Sequence, residues 1–313
     1  MRNKPIILVA GEPKGIFFEI FFKSLKNNKF KSPLILIASK ILLEKSMLKL
    51  RFKKKIRLLN PDSLPKIRIK NNSINLIDIN FNKKNPSIYI KKSFDIAFQI
   101  LKKKYTNKFI NGPVDKSEFL NKKFLGITEY ISKKFKIKKN AMLIFNKDLS
   151  VCPATTHLPI KLVSKNINRK IIEEKILLIN DFYKKNLGFK PKIAVTGLNP
   201  HCESILNFNE DDMIIFPVIQ KLKKKRIKVF GPLPADTVFL KQNRKKYNVI
   251  LGMYHDQVLT PMKTLKEYNA INITLGLPFY RISPDHGPNK KMTNKNLSSP
   301  LSLINAIKFL DKK

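Results

Sequence analysis

The chain switches between two periodicities along most of its length, and this alternation restricts the fold more than any other feature. Short runs rich in Ile, Val and Leu recur: "PIILVAG" (5–11), "PLILIAS" (33–39), "INLIDI" (74–79), "KFING" (108–112), "AMLIFN" (141–146), "LSVCPATT" (149–156), "KIAVTGLNP" (192–200), "IKVFGP" (227–232), "NVILGMY" (248–254) and "AINITLGLP" (270–278). Their length and β-branched content make each a predicted strand. Longer amphipathic stretches lie between them. In "NRKIIEEKILLINDFYKKNLG" (168–188), Ile172, Ile176, Ile179 and Phe182 recur at helical spacing, and Gly188 predicts the helix end. A second helix is predicted over 209–225, "NEDDMIIFPVIQKLKKK", with acids first and lysines last, as the helix dipole favours. Pro217 predicts a kink within it. Strands alternating with helices predict an α/β fold with a largely parallel sheet. No repeat or low-complexity linker divides the chain, so any two domains are expected to be intimately joined.

Composition excludes several classes. The hydrophobic fraction of 43% can build a core, but no apolar run approaches the ~18 residues of a membrane span. The N-terminal apolar stretch is shorter than the ~7–15-residue core of a signal peptide. A cytoplasmic protein with no membrane partner is expected. Cys152 and Cys202 form no CxxC pair and no disulfide framework, which fits a reducing compartment. The net charge of +41 comes from lysines spread evenly as "FKKKIR", "LKKKY", "SKKFKIKK" and "KLKKKRIK". A nucleic-acid footprint concentrates its charge, so this spread predicts solvated faces and no nucleic-acid partner, with a basic nucleic-acid-binding protein as the alternative. The field still attracts anionic metabolites.

Ligand sites in such folds lie past the carboxyl ends of strands. The unusual residues fall there: "GEPKG", "NGPVDK", "TTHLP", "GLNPH", "GPLPADT" and "YHDQ". His157, His201 and His255, three of the four histidines, each follow a separate predicted strand. Three neutral imidazoles hold a catalytic metal while leaving positions open. Any one of them could instead bond its own loop, but recurrence at three equivalent places favours a shared site. Lys263, Asn272 and Arg281 offer a point charge, an amide and a bidentate fork, a set that suits phosphate or carboxylate. Lys263 also reads as a surface lysine. Arg281 follows the apolar "LGLPFY" and fits a surface role less well. Asp236 and Asp256 are candidates to orient a ligand histidine or relay a proton, and Asp236 in "PADT" equally suits a turn cap. "GEPKG" matches neither GxGxxG nor GxxxxGK[ST] and reads as a tight turn. Three histidines with acids also suit a metal-dependent hydrolase.

The segments "GEPKGI", "NGPVDK", "GITEY", "ATTHLPI", "GLNPH", "GPLPADT", "MYHDQ" and "NITLGLPFYRISPDHG" follow one another across nearly the whole chain. In that order the chain resembles the 4-hydroxythreonine-4-phosphate dehydrogenase (PdxA) family of pyridoxal-phosphate biosynthesis. The resemblance implies a two-domain α/β/α subunit of the isocitrate/isopropylmalate dehydrogenase type. Its domains would be 1–112 plus 275–313 and 113–274, in a homodimer with the active site in the cleft and at the subunit interface. It implies one divalent metal (Zn, Co or Mg) on His157, His201 and His255, with ligands drawn from both subunits. NAD or NADP would bind without a glycine-rich fingerprint. The phosphorylated substrate would contact Thr128, Lys263, Asn272 and Arg281, with Asp236, Asp256 and Lys263 as the catalytic candidates. The implied reaction oxidises 4-phosphooxy-L-threonine to a β-keto acid that decarboxylates to 3-amino-2-oxopropyl phosphate. Three departures stand out. Ile127 replaces the histidine of the family's "GHTE", "GEPKGIFFE" replaces "GDPAGIGPE", and "CESILN" replaces the glycine-rich "AGEGG" loop. They leave room for a sister activity on a related phosphorylated hydroxy acid such as a phospho-threonate.

Overall fold

The computed structural model describes residues 3–26, 28–115, 119, 124, 126–203, 208–293 and 295–313. The chain is α/β, and all ten predicted runs contain strands. It forms two compact units: Met1–Tyr130 with Pro278–Lys313, and Ile131–Leu277.

The first unit contains β1 (Ile6–Val9), β2 (Leu34–Ala38), β3 (Ile56–Leu58), β4 (Ile74–Asp78), β5 (Lys108–Asn111) and, late in the chain, β12 (Tyr280–Pro284). They lie in the order β3-β4-β2-β1-β5-β12, and every pair is parallel. Parallel neighbours need crossover connections. Here α1 (Phe17–Lys26) leads into β2 and α3 (Pro86–Lys102) leads into β5, while α2 (Lys40–Lys49) follows β2. Every residue of β1, β2 and β5 is buried, whichever way its side chain points. Helices therefore cover both faces of this sheet. The last helix, α8 (Leu301–Asp311), packs on β12 and α1.

The second unit contains β6 (Ala141–Phe145), β7 (Ser150–Pro153), β8 (Ile193–Thr196), β9 (Val229–Leu233), β10 (Val249–Gly252) and β11 (Ile271–Leu275). Their order is β11-β6-β7-β10-β8-β9. The four strands β7, β10, β8 and β9 pair in parallel. β6 runs antiparallel to both β11 and β7; the turn between β6 and β7 is too short for the crossover a parallel pair would need. Helix α4 (Ile127–Lys134) leads from the first unit into the second. Helix α5 (Arg169–Leu187) packs on β6 and β11, α6 (Phe216–Lys224) on β9, and α7 (His255–Lys266) on β7 and β10. Among the described residues no helix is long and apolar enough to cross a membrane.

The predicted helix over 168–188 forms with both ends where expected. The Asn168 side chain accepts the Ile171 N–H at 3.0 Å, and Gly188 closes the helix at φ 80°. Asn168→Ala is expected to cost about 1 kcal/mol, the usual worth of such a cap. A urea midpoint equal to that of the unsubstituted chain would refute this. The predicted helix over 209–225 is in fact two pieces: a π-helical turn, Asp211–Ile215, and then α6. Pro217 lies in the first turn of α6, where its missing N–H has no helical role. The expected kink is therefore a change of helix type upstream of the proline.

Candidate functional site

Helix α7 carries the residue that the strand pattern made conspicuous. Val258 and Met262, one turn apart, pack in a buried cluster with Val151, Ala194 and Ile250 of the sheet. Gly252 makes this close approach possible. A Cβ there would overlap Val258 and come within 3.0 Å of Gln257 Oε1. The helix therefore starts hard against the strand end, with His255 as its first residue.

His255 Nδ1 lies 2.6 Å from Asp256 Oδ1. A carboxylate only accepts, so Nδ1 is the donor in this contact and Nε2 is left for another partner. His157 follows β7, the parallel neighbour of β10, so the two turns lie side by side. The two ring centroids are 5.8 Å apart. His201 follows β8 in a short turn, Pro200–Cys202. Both His201 (φ 56°) and Cys202 (φ 63°) adopt the left-handed conformation that non-glycine residues rarely hold. Such backbone persists where its surroundings fix it.

Asp211, fully buried in the π-helical turn, does the fixing. Its Oδ1 accepts Leu198 N–H at 2.8 Å, and its Oδ2 accepts Asn199 N–H at 3.1 Å and Asn199 Nδ2 at 2.9 Å. Gly197 leaves it room, since a Cβ would sit 2.6 Å from Asp211 Oδ1. Burial pushes the Cys202 thiol up to about 11, and the Asp211 and Asp236 carboxylates add to the rise. Asp236, exposed on the short helix Ala235–Val238, is thus close enough to the His201–Cys202 turn to be felt electrostatically.

Among the described residues no three His, Cys, Asp or Glu side chains gather into a set able to hold a metal. The structure pairs His157 with His255 and leaves His201 on its own turn. Lys263 lies inside α7, two turns beyond His255. Asn272 is in β11, opposite Ile144. Among the described residues its buried Oδ1 has no hydrogen-bond partner, and a ligand donor would satisfy such an atom.

The other two candidates meet in the first unit. Arg281, in β12 opposite Phe109 of β5, is 3% exposed. Its Nε donates to Asn111 Oδ1 at 2.7 Å, and its Nη1 lies 3.4 Å from Thr128 Oγ1. Burial lowers the guanidinium pKa to about 10, against the pull of Glu129, so the group is charged at neutral pH. Ile127 and Thr128 open α4, and Ile127 is 9% exposed. Of the "CESILN" replacement, residues 204–207 lie outside the described residues.

Sequence reasoning did not single out Asn111, Thr155, Asp211 and Gln257. Each is a polar residue in or beside a segment that was noticed: "NGPVDK", "TTHLP", "NEDD" and "YHDQ". Position next to a strand end was the available signal, but their partners are distant in sequence.

The fold is that of isocitrate dehydrogenase-type α/β proteins. Isocitrate dehydrogenase from Methylococcus capsulatus shares it at 11% identity with a TM-score of 0.50, over 96% of this chain and 83% of that one. More narrowly, the chain belongs to the family described as pyridoxal phosphate biosynthetic protein PdxA, whose family model matches residues 29–310. It is 35% identical to the 4-hydroxythreonine-4-phosphate dehydrogenase of Sulfurihydrogenibium sp., over 97% of this chain and 96% of that protein. It is 30% identical to the D-threonate 4-phosphate dehydrogenase of Pectobacterium atrosepticum, over 91% of each. The crystal structure of the Klebsiella pneumoniae 4-hydroxythreonine-4-phosphate dehydrogenase matches with a TM-score of 0.83 at 26% identity, covering 99% of this chain and 100% of that one.

Proposed function

We propose that this protein is an NAD(P)- and divalent-metal-dependent dehydrogenase. It oxidises 4-phosphooxy-L-threonine to 2-amino-3-oxo-4-phosphooxybutanoate, which loses carbon dioxide to give 3-amino-2-oxopropyl phosphate for pyridoxal 5'-phosphate synthesis. Family membership supports the reaction. The observation that carries it is the His157–His255 pair at the ends of adjacent parallel strands, with Asp256 on His255.

A carboxylate holding one ring nitrogen while the other keeps its lone pair is the arrangement of a metal-ligating histidine. His157 and His255 would hold Zn, Co or Mg, and His201 would complete the set from the second copy in a homodimer. A cavity of about 280 Å³ in the first unit, lined in part by Lys14, Lys83 and Lys84, would suit the cofactor's phosphates. When bound, the metal supplies Lewis acidity and the nicotinamide supplies the hydride acceptor. The chain's own residues supply the rest. Asp256 orients His255. Asp236, whose charge is felt at Cys202 in the His201 turn, would take the hydroxyl proton as the carbon gives up its hydride. Lys263 neutralises substrate charge, and Asn272 Oδ1 accepts a hydrogen bond from the substrate. Arg281 and Thr128 bind its anionic end. The enzyme would work in the cytoplasm, with no nucleic-acid or membrane partner.

The test is a panel of 4-phosphooxy-L-threonine and D-threonate 4-phosphate, each with NAD or NADP and several divalent metals, read by nicotinamide absorbance. No change with any combination would overturn the reading. Ile127 and the Pectobacterium relative favour a second reading, in which a phosphorylated threonate is the substrate. Ile127→His separates the two. If the substrate is 4-phosphooxy-L-threonine, the restored imidazole should lower KM about tenfold, since a bond to a charged group is worth about 1.5–3 kcal/mol. The kcat should barely move. An unchanged or higher KM favours the threonate.

A further inference from the structure

The side chain of Gln257 directs three hydrogen bonds at two of the histidine turns. Its Oε1 accepts Met253 N–H at 2.7 Å and the Thr196 hydroxyl at 2.8 Å. Its Nε2 donates to Gly197 C=O at 2.8 Å. Met253 precedes His255 by two residues, and Thr196 and Gly197 lead into the turn that carries His201. One carboxamide therefore spans the ends of β10 and β8. Both ends of the amide are needed, because it accepts on one side and donates on the other, which neither a carboxylate nor a thioether can do. Gly252 leaves the space that Gln257 Oε1 uses. The lacing continues beyond it. Met253 C=O accepts both the Thr155 hydroxyl at 2.7 Å and the Thr155 N–H at 3.1 Å, and Thr155 lies two residues before His157.

We propose that Gln257 is a positioning residue: it braces the His201 and His255 turns of one chain, each of which supplies a ligand to a metal site of the dimer, and so sets how firmly those histidines hold a divalent cation. This rests on the reading of those histidines as metal ligands. Groups that orient metal ligands typically change metal affinity 10–100-fold when removed.

The test uses the full-length protein and Co²⁺ as the probe. Affinity is read by competition with a chromophoric chelator, and geometry by the visible ligand-field absorption. Gln257→Met keeps the side-chain volume and loses all three bonds. Gln257→Glu keeps an acceptor but turns an oxygen on Gly197 C=O. Both are expected to weaken Co²⁺ binding 10–100-fold and to change the absorption band. Asn168→Ala, which removes a helix cap and none of these three bonds, should change neither. Either Gln257 variant binding Co²⁺ with unaltered affinity and spectrum would overturn the proposal while leaving the metal reading intact. If Gln257→Met does not fold, Gln257→Glu decides alone. If the unsubstituted protein binds no Co²⁺, or binds it equally well with His157 and His255 both replaced by alanine, the metal reading fails and the proposal with it.

Discussion

His255→Ala should reduce turnover by at least about 10³-fold, the equivalent of roughly 4 kcal/mol of Lewis-acid stabilisation. It should also weaken divalent-cation binding and leave the fold intact. The side chain is 37% exposed, and its bond is to the exposed Asp256 carboxylate, so removing the ring opens no core cavity. Val258 and Met262 still seat α7 on the sheet. Three measurements check this: initial rate with nicotinamide cofactor, bound metal per chain, and thermal midpoint. Near-normal turnover with full metal content would remove His255 from the site. A collapsed midpoint would show that the ring has a structural task that the exposed position does not suggest.

Arg281→Lys is expected to raise KM for the phosphorylated substrate about 10²-fold with a smaller change in kcat. The arginine is 3% exposed and is held on Nε by Asn111 at 2.7 Å, which aims the rest of the fork toward Thr128. Lysine keeps the charge and loses the planar fork. Two charged hydrogen bonds lost at about 1.5 kcal/mol each give that factor. Arg281→Ala does more, since it strands the buried Asn111 acceptor and costs about 1–3 kcal/mol of stability as well. A lysine variant with unchanged KM and an unchanged urea midpoint would mean that the charge alone matters, or that the substrate binds elsewhere.

The α/β class was legible because the parallel strands are buried on both faces and their sequences are nearly continuous apolar runs. The missed strands lack that signature. β3 is three residues at a sheet edge, with Arg57 and Leu58 exposed. β12 carries Arg281 as its second residue, a charge that is buried there because Asn111, far away in sequence, receives it. The histidine positions could be read because each follows a strand run. The polar lacing between them could not. Gln257, Thr155 and Asp211 have ordinary sequence contexts, and their roles come from which strand ends become neighbours. The pairing of β10 with both β7 and β8 is a long-range fact that no local pattern encodes.

The first unit is assembled from both ends of the described chain, and this sets an order on its birth. Residues 131–277 form the second unit as one continuous run, so all its partners have been synthesised before β12 and α8 exist. At roughly 5–20 residues per second, the ribosome needs on the order of ten seconds to make that stretch. During that time β5 has no neighbour on its outer side. The Glu19 carboxylate waits for the Ser298 N–H, and the Lys31 and Ser32 amides wait for Asp311. The portion translated first is thus the one completed last. Any strand pairing that forms in that interval leaves the β5 edge open, and an open parallel edge is one that other nascent strands can pair with.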